Sequence, residues 1–122
     1  MAETTLKQSP DYRAELCALV NRHLDSREWS PARLARESGQ SKATISRITN
    51  YASHGNPHYR PSLKTVQAIC LALKLSRAES GKLFRAAYPE WAVWEEAAER
   101  GYTVFQADEL LYDSGLPLLT SE

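Results

Sequence analysis

The stretch LARESGQSKATISRITN, from Leu34 to Asn50, decides the fold of this chain. Glycine inside a helix costs about 1 kcal/mol relative to alanine, so Gly39 marks a break rather than the middle of one long helix. Ser41 follows two residues later, and serine is a favoured residue at the N-cap of a helix. The stretch therefore predicts two short helices that meet at a tight corner.

Serine residues also mark helix starts on both sides of this corner. Serine followed by proline is a typical N-cap and first helical position, and serine followed three residues later by glutamate is a capping box. Apolar residues then recur three and four positions apart, as in Leu16, Val20 and Leu24. Five helices are predicted up to Tyr88, with starts at Ser9-Pro10, Ser30-Pro31, Ser41, Ser62 and Ser76.

Charge is divided unevenly along the 122 residues, although the chain has no net charge. Residues 1–88 contain 14 Lys and Arg against 7 Asp and Glu, a balance of +7. Residues 89–122 contain 1 basic residue against 8 acidic ones, a balance of −7. Such asymmetry indicates two parts with different roles. We expect a domain over residues 1–88 and an acidic, aromatic helical segment over residues 89–122.

Two further helices are predicted in the acidic segment. Trp91 and Trp94 lie on one side of a helix that stops before Gly101, and Thr103 with Gln106 forms a capping box for the next. A short strand over YTVF, residues 102–105, is the alternative.

Several functional classes are disfavoured by the composition. The sequence has no nucleophile elbow, no phosphate-binding glycine loop and no metal-ligand cluster, so we expect no enzymatic activity and no cofactor. Its two cysteines, Cys17 and Cys70, lie in apolar helical patterns typical of buried thiols in a reducing compartment. No stretch is apolar enough to span a membrane. We therefore expect a cytoplasmic protein.

The run from Pro31 to Tyr51 resembles the helix-turn-helix of the phage-repressor-like (Cro/XRE) family of DNA-binding regulators. Ala35 is small where the second helix would cross, and Gly39 can adopt the positive φ of the turn. Ile45 and Ile48 would return to the core. Further along, PSLKTVQAICLALKLS and SRAESGKLFRAAYP are similar to the fourth and fifth helices of that family, so the resemblance covers about residues 9–88.

The resemblance implies an all-α fold, with a five-helix lambda-repressor-like domain followed by a short helical C-terminal segment. It also implies that the helix at about 41–51 enters the major groove of DNA. The residues expected to contact bases are Lys42, Ala43, Thr44, Ser46 and Arg47. Those expected to contact phosphates are Ser41, Asn50, Tyr51 and Arg60.

Two features depart from the family pattern. Glutamine often begins the first helix of the motif, where it grips the DNA backbone, whereas this chain has Pro31. The loop YASHGNPHYRP after Asn50 is also longer than usual. His54 and His58 lie four residues apart there, but the glycine and proline between them disfavour a helical metal site, so we expect ordinary loop histidines.

The function implied is a sequence-specific double-stranded DNA-binding transcriptional regulator, a homodimeric repressor that binds an inverted-repeat operator. Its dimerisation residues would lie in the C-terminal segment: Trp91, Trp94, Phe105, Leu110 and Leu111. Alternatively, this segment completes the monomer's own core or lies against the basic domain. The alternative function is a helix-turn-helix protein-interaction module of the antitoxin or anti-repressor type, whose C-terminal segment binds a protein partner.

Overall fold

The computed structural model describes residues 13–55 and 59–120. Within these ranges every regular element is helical, which confirms the predicted all-α class. The predicted helix start at Ser9-Pro10 and the histidine at 58 lie outside the described residues. The helices are α1 (Arg13–Arg27), α2 (Pro31–Ser38), α3 (Lys42–Thr49), α4 (Leu63–Ala72), α5 (Arg77–Ala87), α6 (Glu90–Arg100) and α7 (Val104–Asp113), with a 3₁₀ turn at Tyr51–Ser53.

The ends of α2 and α3 follow the local chemistry of the sequence. The Ser30 hydroxyl accepts the backbone N–H of Arg33 at 3.1 Å, and Pro31 occupies the first turn of α2. Gly39 ends this helix at φ +72°, a left-handed conformation that costs little only for glycine. Gln40 follows in the turn, where its side-chain oxygen accepts the Thr65 hydroxyl of α4 at 2.9 Å. The corner between α2 and α3 is thereby tied to the body of the fold.

The described residues divide into two compact units, of which the first ends at Tyr88 and the second begins at Pro89. In the first unit, α2 packs against α3 and α4, and α1 packs against α3 and α5. The buried side chains between these helices form one cluster: Leu16, Val20, Leu24, Leu34, Ala35, Ile45, Ile48, Val66, Ile69, Cys70, Leu73, Leu83, Ala86 and Ala87. Because α3 contributes two isoleucines to this cluster, its opposite face is set outward.

The second unit contains α6 and α7, which pack against each other. Gly101 ends α6 at φ +68°, and Thr103 with Gln106 forms the predicted capping box at the start of α7. The alternative of a strand over residues 102–105 is therefore wrong. No helix in the described part of the chain is long and apolar enough to cross a membrane.

Candidate nucleic-acid interface

Helix α3, which is the helix expected to enter the major groove, has one buried face and one exposed face. Ile45 is 1% exposed and Ile48 is buried beside it, as expected from the sequence. Lys42, Ala43 and Arg47 are exposed on the other side of the helix. A helix eight residues long thus presents two cations and a small apolar side chain outward, which are types that bind guanine, phosphate and the thymine methyl.

Ser41 and Thr44 order the N-terminal end of α3. The Ser41 hydroxyl accepts the Thr44 backbone N–H at 3.0 Å and donates to Thr44 Oγ1 at 2.9 Å. The first backbone N–H groups of a helix have no intrahelical acceptor and carry partial positive charge. This end of α3 therefore favours an anion such as a DNA phosphate.

Side chains of α1 hold the C-terminal end of α3 and the loop beyond it. Asn21 Nδ2 donates to the Thr49 carbonyl at 3.0 Å, and the Cys17 thiol donates to the same oxygen at 3.4 Å. Arg13 Nη1 donates to the His54 carbonyl at 2.9 Å. These three donors are spaced by four residues and so form one stripe on α1. The stripe satisfies a carbonyl at the end of α3 that has no partner within the helix.

The loop after α3 folds back on the helix through Ser46 and His54. Ser46 Oγ and His54 Nε2 are 3.1 Å apart, which makes a hydrogen bond whose direction depends on the histidine tautomer. Ser46 was expected to contact bases, and the structure places its half-buried hydroxyl against this loop. A hydroxyl has one donor and two acceptor positions, so a second partner is compatible with this bond.

A concavity of about 230 Å³ lies beside Arg47 and the loop. Its lining comprises Arg13, Arg47, His54, Gly55 and Tyr59. Burial raises the pKa of the Tyr59 phenol, and nearby Arg47 opposes this only partly. The phenol therefore stays protonated at neutral pH and is available as a hydrogen-bond donor. Two guanidinium groups and a phenolic donor at one concavity suit an anionic ligand.

The remaining residues predicted to contact phosphate lie in different settings. Asn50 is exposed at the end of α3, and the half-buried Tyr51 has its ring centroid 4.9 Å from the Arg13 guanidinium carbon. Arg60 is half-buried, with its guanidinium carbon 5.3 Å from the ring centroid of Tyr88. Its guanidinium group therefore lies over an aromatic ring, whereas Asn50 is open to solvent.

A groove lies between α2 and α3, and Pro31 lines it close to α3. Its volume is about 240 Å³ and its lining is Pro31, Ala32, Lys42, Ser46, Thr49 and Asn50. Pro31 stands at the position where the resemblance implies a glutamine that grips the DNA backbone. In this chain the bracing contacts come from Asn21, Cys17 and His54.

Sequence reasoning missed the α1 stripe and the bond from His54 to Ser46. The spacing of Arg13, Cys17 and Asn21 was a usable signal, because they alternate with the apolar positions of α1. Nothing in the sequence indicated that His54 returns to α3, since this contact depends on how the loop closes.

The predicted dimerisation residues differ widely in exposure. Phe105 is 75% exposed, whereas Leu110 is half-buried and Leu111 is 0% exposed. Trp91 and Trp94 are half-buried, with ring centroids 5.8 Å apart. Of the predicted set, Phe105 is the most exposed residue. In the described residues no group of three or more His, Cys, Asp or Glu side chains is placed to hold a metal.

Two short helices meet at a glycine in the left-handed conformation. The second helix packs one face against the core and exposes the other. This arrangement defines a helix-turn-helix domain. Residues 20–79 match the model of the Cro/C1-type HTH DNA-binding domain family. This part of the chain is thus a Cro/C1-type helix-turn-helix DNA-binding domain, which confirms the resemblance seen in the sequence. No curated protein and no solved structure matches the chain.

Proposed function

We propose that the protein is a sequence-specific transcriptional regulator that reads the major groove of double-stranded DNA with α3. The observation that carries the proposal is the polar outer face of α3 in a Cro/C1-type domain, held from behind by the core and by the α1 stripe. A braced helix loses little conformational freedom when it enters the groove, and this favours discrimination between bases.

Base contacts are assigned to the outer face of α3. Arg47 is exposed and can donate two hydrogen bonds to guanine O6 and N7, and Lys42 can reach a guanine or a phosphate near the start of the helix. Ala43 is exposed and suits a thymine methyl, as does the methyl group of Thr44. Ser46 reaches a base while it shares its hydroxyl with His54.

Phosphate contacts are assigned to the two ends of α3 and to the loop. Ser41 stands at the N-terminal end, where helix amides attract an anion. Asn50 and Tyr51 follow the C-terminal end, and the half-buried Arg60 is the cation assigned to a phosphate beyond the loop. Such contacts fix the register of the protein on the duplex without reading its sequence.

We further propose that the regulator acts as a cytoplasmic homodimeric repressor on an inverted-repeat operator. A single small helix-turn-helix domain buries limited surface on DNA, so two copies on two half-sites supply the affinity that one cannot. A dimer that covers promoter DNA represses by excluding other proteins from it. The exposed aromatic surface of the C-terminal unit, centred on Phe105, supports self-association through that unit.

Selection of binding sites from a random duplex DNA library tests the proposal. We expect enrichment of an inverted repeat whose half-sites are separated by about 10 bp or a multiple of it, the repeat of the double helix. An enriched single half-site would support base reading and contradict the dimer. Recovery of DNA without any shared motif would contradict base reading and favour the protein-interaction function.

A further inference from the structure

The C-terminal unit carries an exposed surface that we call the acidic aromatic face. Phe105, Glu109, Tyr112 and Asp113 lie on one side of α7, because they are spaced by four, seven and eight residues. Phe105 is 75% exposed and Tyr112 is 66% exposed. A concavity of about 660 Å³ runs along this face. Large exposed aromatic side chains grouped in this way are typical of a binding surface rather than of a solvated helix.

Asp113 is poorly explained by the stability of α7 itself. It is the last residue of the helix, where the partial negative charge of the helix dipole disfavours a carboxylate. Glu109 is exposed one turn earlier on the same side. Two carboxylates beside exposed aromatic rings therefore point to a cationic partner surface with an apolar centre.

The first unit, which contains the DNA-binding domain, carries a surface that is cationic and has an exposed apolar residue. We call this surface the basic groove. It is about 560 Å³ in volume, and among its lining residues are Trp29, Arg33, Leu71 and Lys74. Leu71 is 67% exposed, and the Arg33 guanidinium carbon lies 4.4 Å from the Trp29 ring centroid. The lining also includes one carboxylate, Glu37, so the positive charge dominates without being uniform.

The basic groove is separate from the proposed DNA contacts. Its lining residues come from the end of α1, from α2 and α4, and from the turns after α1 and α4, and α3 contributes none of them. Arg27 in this lining is engaged in the fold, because its Nη2 donates to the Leu73 carbonyl at 3.0 Å. Arg33 and Lys74 are exposed and are the cations suited to meet a partner.

We infer that the acidic aromatic face of one copy docks in the basic groove of a second copy, and that the exchange is reciprocal. The inference rests on the homodimer of the proposed function and specifies which surfaces form it. Phe105 and Tyr112 would cover Leu71 and Trp29, and the carboxylates would face the cations. Two such contacts related by a two-fold axis close the assembly as a dimer.

Charge favours this arrangement over contact between two acidic aromatic faces. A two-fold contact of that face with itself would bring the Glu109 and Asp113 carboxylates of both copies together, and like charges across an interface are repulsive. The basic groove offers opposite charge beside the exposed apolar side chain of Leu71. The exchanged arrangement therefore satisfies both features of the face at once.

Charge-swapped variants of the full chain test the exchange by sedimentation velocity. Groove-swapped protein carries Arg33→Glu and Lys74→Glu, and face-swapped protein carries Glu109→Lys and Asp113→Lys. We expect each variant alone to dimerise at least about tenfold more weakly than wild type, because the proposed carboxylate–cation pairs become pairs of like charge. An equimolar mixture of the two should dimerise again, because each copy then meets the opposite charge on its partner. A chain with all four changes should also dimerise.

The substitutions are chosen to preserve the folded units. Position 33 is the third residue after the Ser30 N-cap, where glutamate completes a capping box. Lysine at position 113 suits the C-terminal end of α7. Lys82→Glu and Glu99→Lys are matched controls, since both positions are exposed and line neither surface. Both controls should dimerise as wild type does, whereas Phe105→Ala should weaken the dimer without any change of charge.

Three outcomes overturn the inference. If both swapped variants still dimerise, the dimer interface lies elsewhere. If the wild-type protein is a monomer, there is no such interface. If the chain with all four changes dimerises while the mixture of the two swapped variants stays monomeric, the two surfaces pair within one chain. Binding to a duplex with a single half-site should be unchanged in all variants, because α3 is untouched. The library selection could yield no shared DNA motif while the charge-swapped variants still dimerise as expected. That result would contradict the proposed regulator function and support the dimer interface.

Discussion

Removal of the Arg47 guanidinium gives the sharpest test of base reading by α3. The side chain is exposed, and its guanidinium carbon lies 6.0 Å from the Tyr59 ring centroid, at the outer limit of a cation–π contact. Arg47→Ala should therefore change the free energy of unfolding by less than about 0.5 kcal/mol. On the selected operator the loss of a bidentate guanine contact should cost about 1–3 kcal/mol, or about 5- to 150-fold in affinity.

The assay is fluorescence anisotropy with the selected operator and with a set of operators changed at one base pair each. Wild-type protein should discriminate at the position read by Arg47, and Arg47→Ala should bind all four bases there with similar affinity. Arg47→Lys keeps the charge but loses the bidentate geometry, so it should relax that position while the salt dependence stays nearly unchanged. Lys82→Ala, which removes an exposed cation on α5, is the matched control.

The role of Arg47 follows from which operators Arg47→Ala binds more weakly than the wild-type protein does. Equal weakening on every operator, with a salt slope about one unit shallower, would identify a phosphate contact instead of a base contact. Unchanged affinity and unchanged discrimination in Arg47→Ala would refute the assignment of α3 as the reading helix.

Further expectations concern the phosphate contacts, the brace behind α3 and the C-terminal unit. Arg60→Ala should weaken binding to all duplexes alike and flatten the salt slope by about one unit in titrations at several salt concentrations; a changed base preference would contradict this role. Asn21→Ala removes the donor to the Thr49 carbonyl and should lower the free energy of unfolding by about 1 kcal/mol in urea titrations; unchanged stability would contradict the brace. Truncation after Tyr88 should leave a folded, mainly monomeric domain with weaker operator binding; a tight dimer in sedimentation would place the interface outside the C-terminal unit.

Helix boundaries around the corner were predictable because capping is local chemistry. A serine hydroxyl reaches the amide three residues ahead whatever the rest of the chain does, and both Ser30 and Ser41 make this bond. Gly39 likewise adopts a positive φ because only a residue without Cβ does so at little cost. The periodicity of apolar residues then identified which face of α3 is buried.

The contacts that position α3 were not predictable, because they join residues distant in sequence. Asn21 reaches Thr49 across 28 positions, and Arg13 reaches the His54 carbonyl across 41. Periodicity marks such polar positions on α1 as outward but does not show which helix end lies opposite. For the same reason it grouped Leu111, which is buried, with Phe105, which is exposed.

The absence of net charge is compatible with DNA binding once distance is considered. Salt screens charges beyond about 8 Å at physiological ionic strength, so a phosphate responds mainly to the cations beside it. In the proposed complex, Lys42, Arg47 and Arg60 would supply this local charge, whatever the sign of the residues after Pro89. In the exchanged dimer the carboxylates of α7 would meet Arg33 and Lys74, which lie in a groove without α3 residues. Acidic residues would then set association between copies, and the cations of α3 and its loop would remain available for DNA.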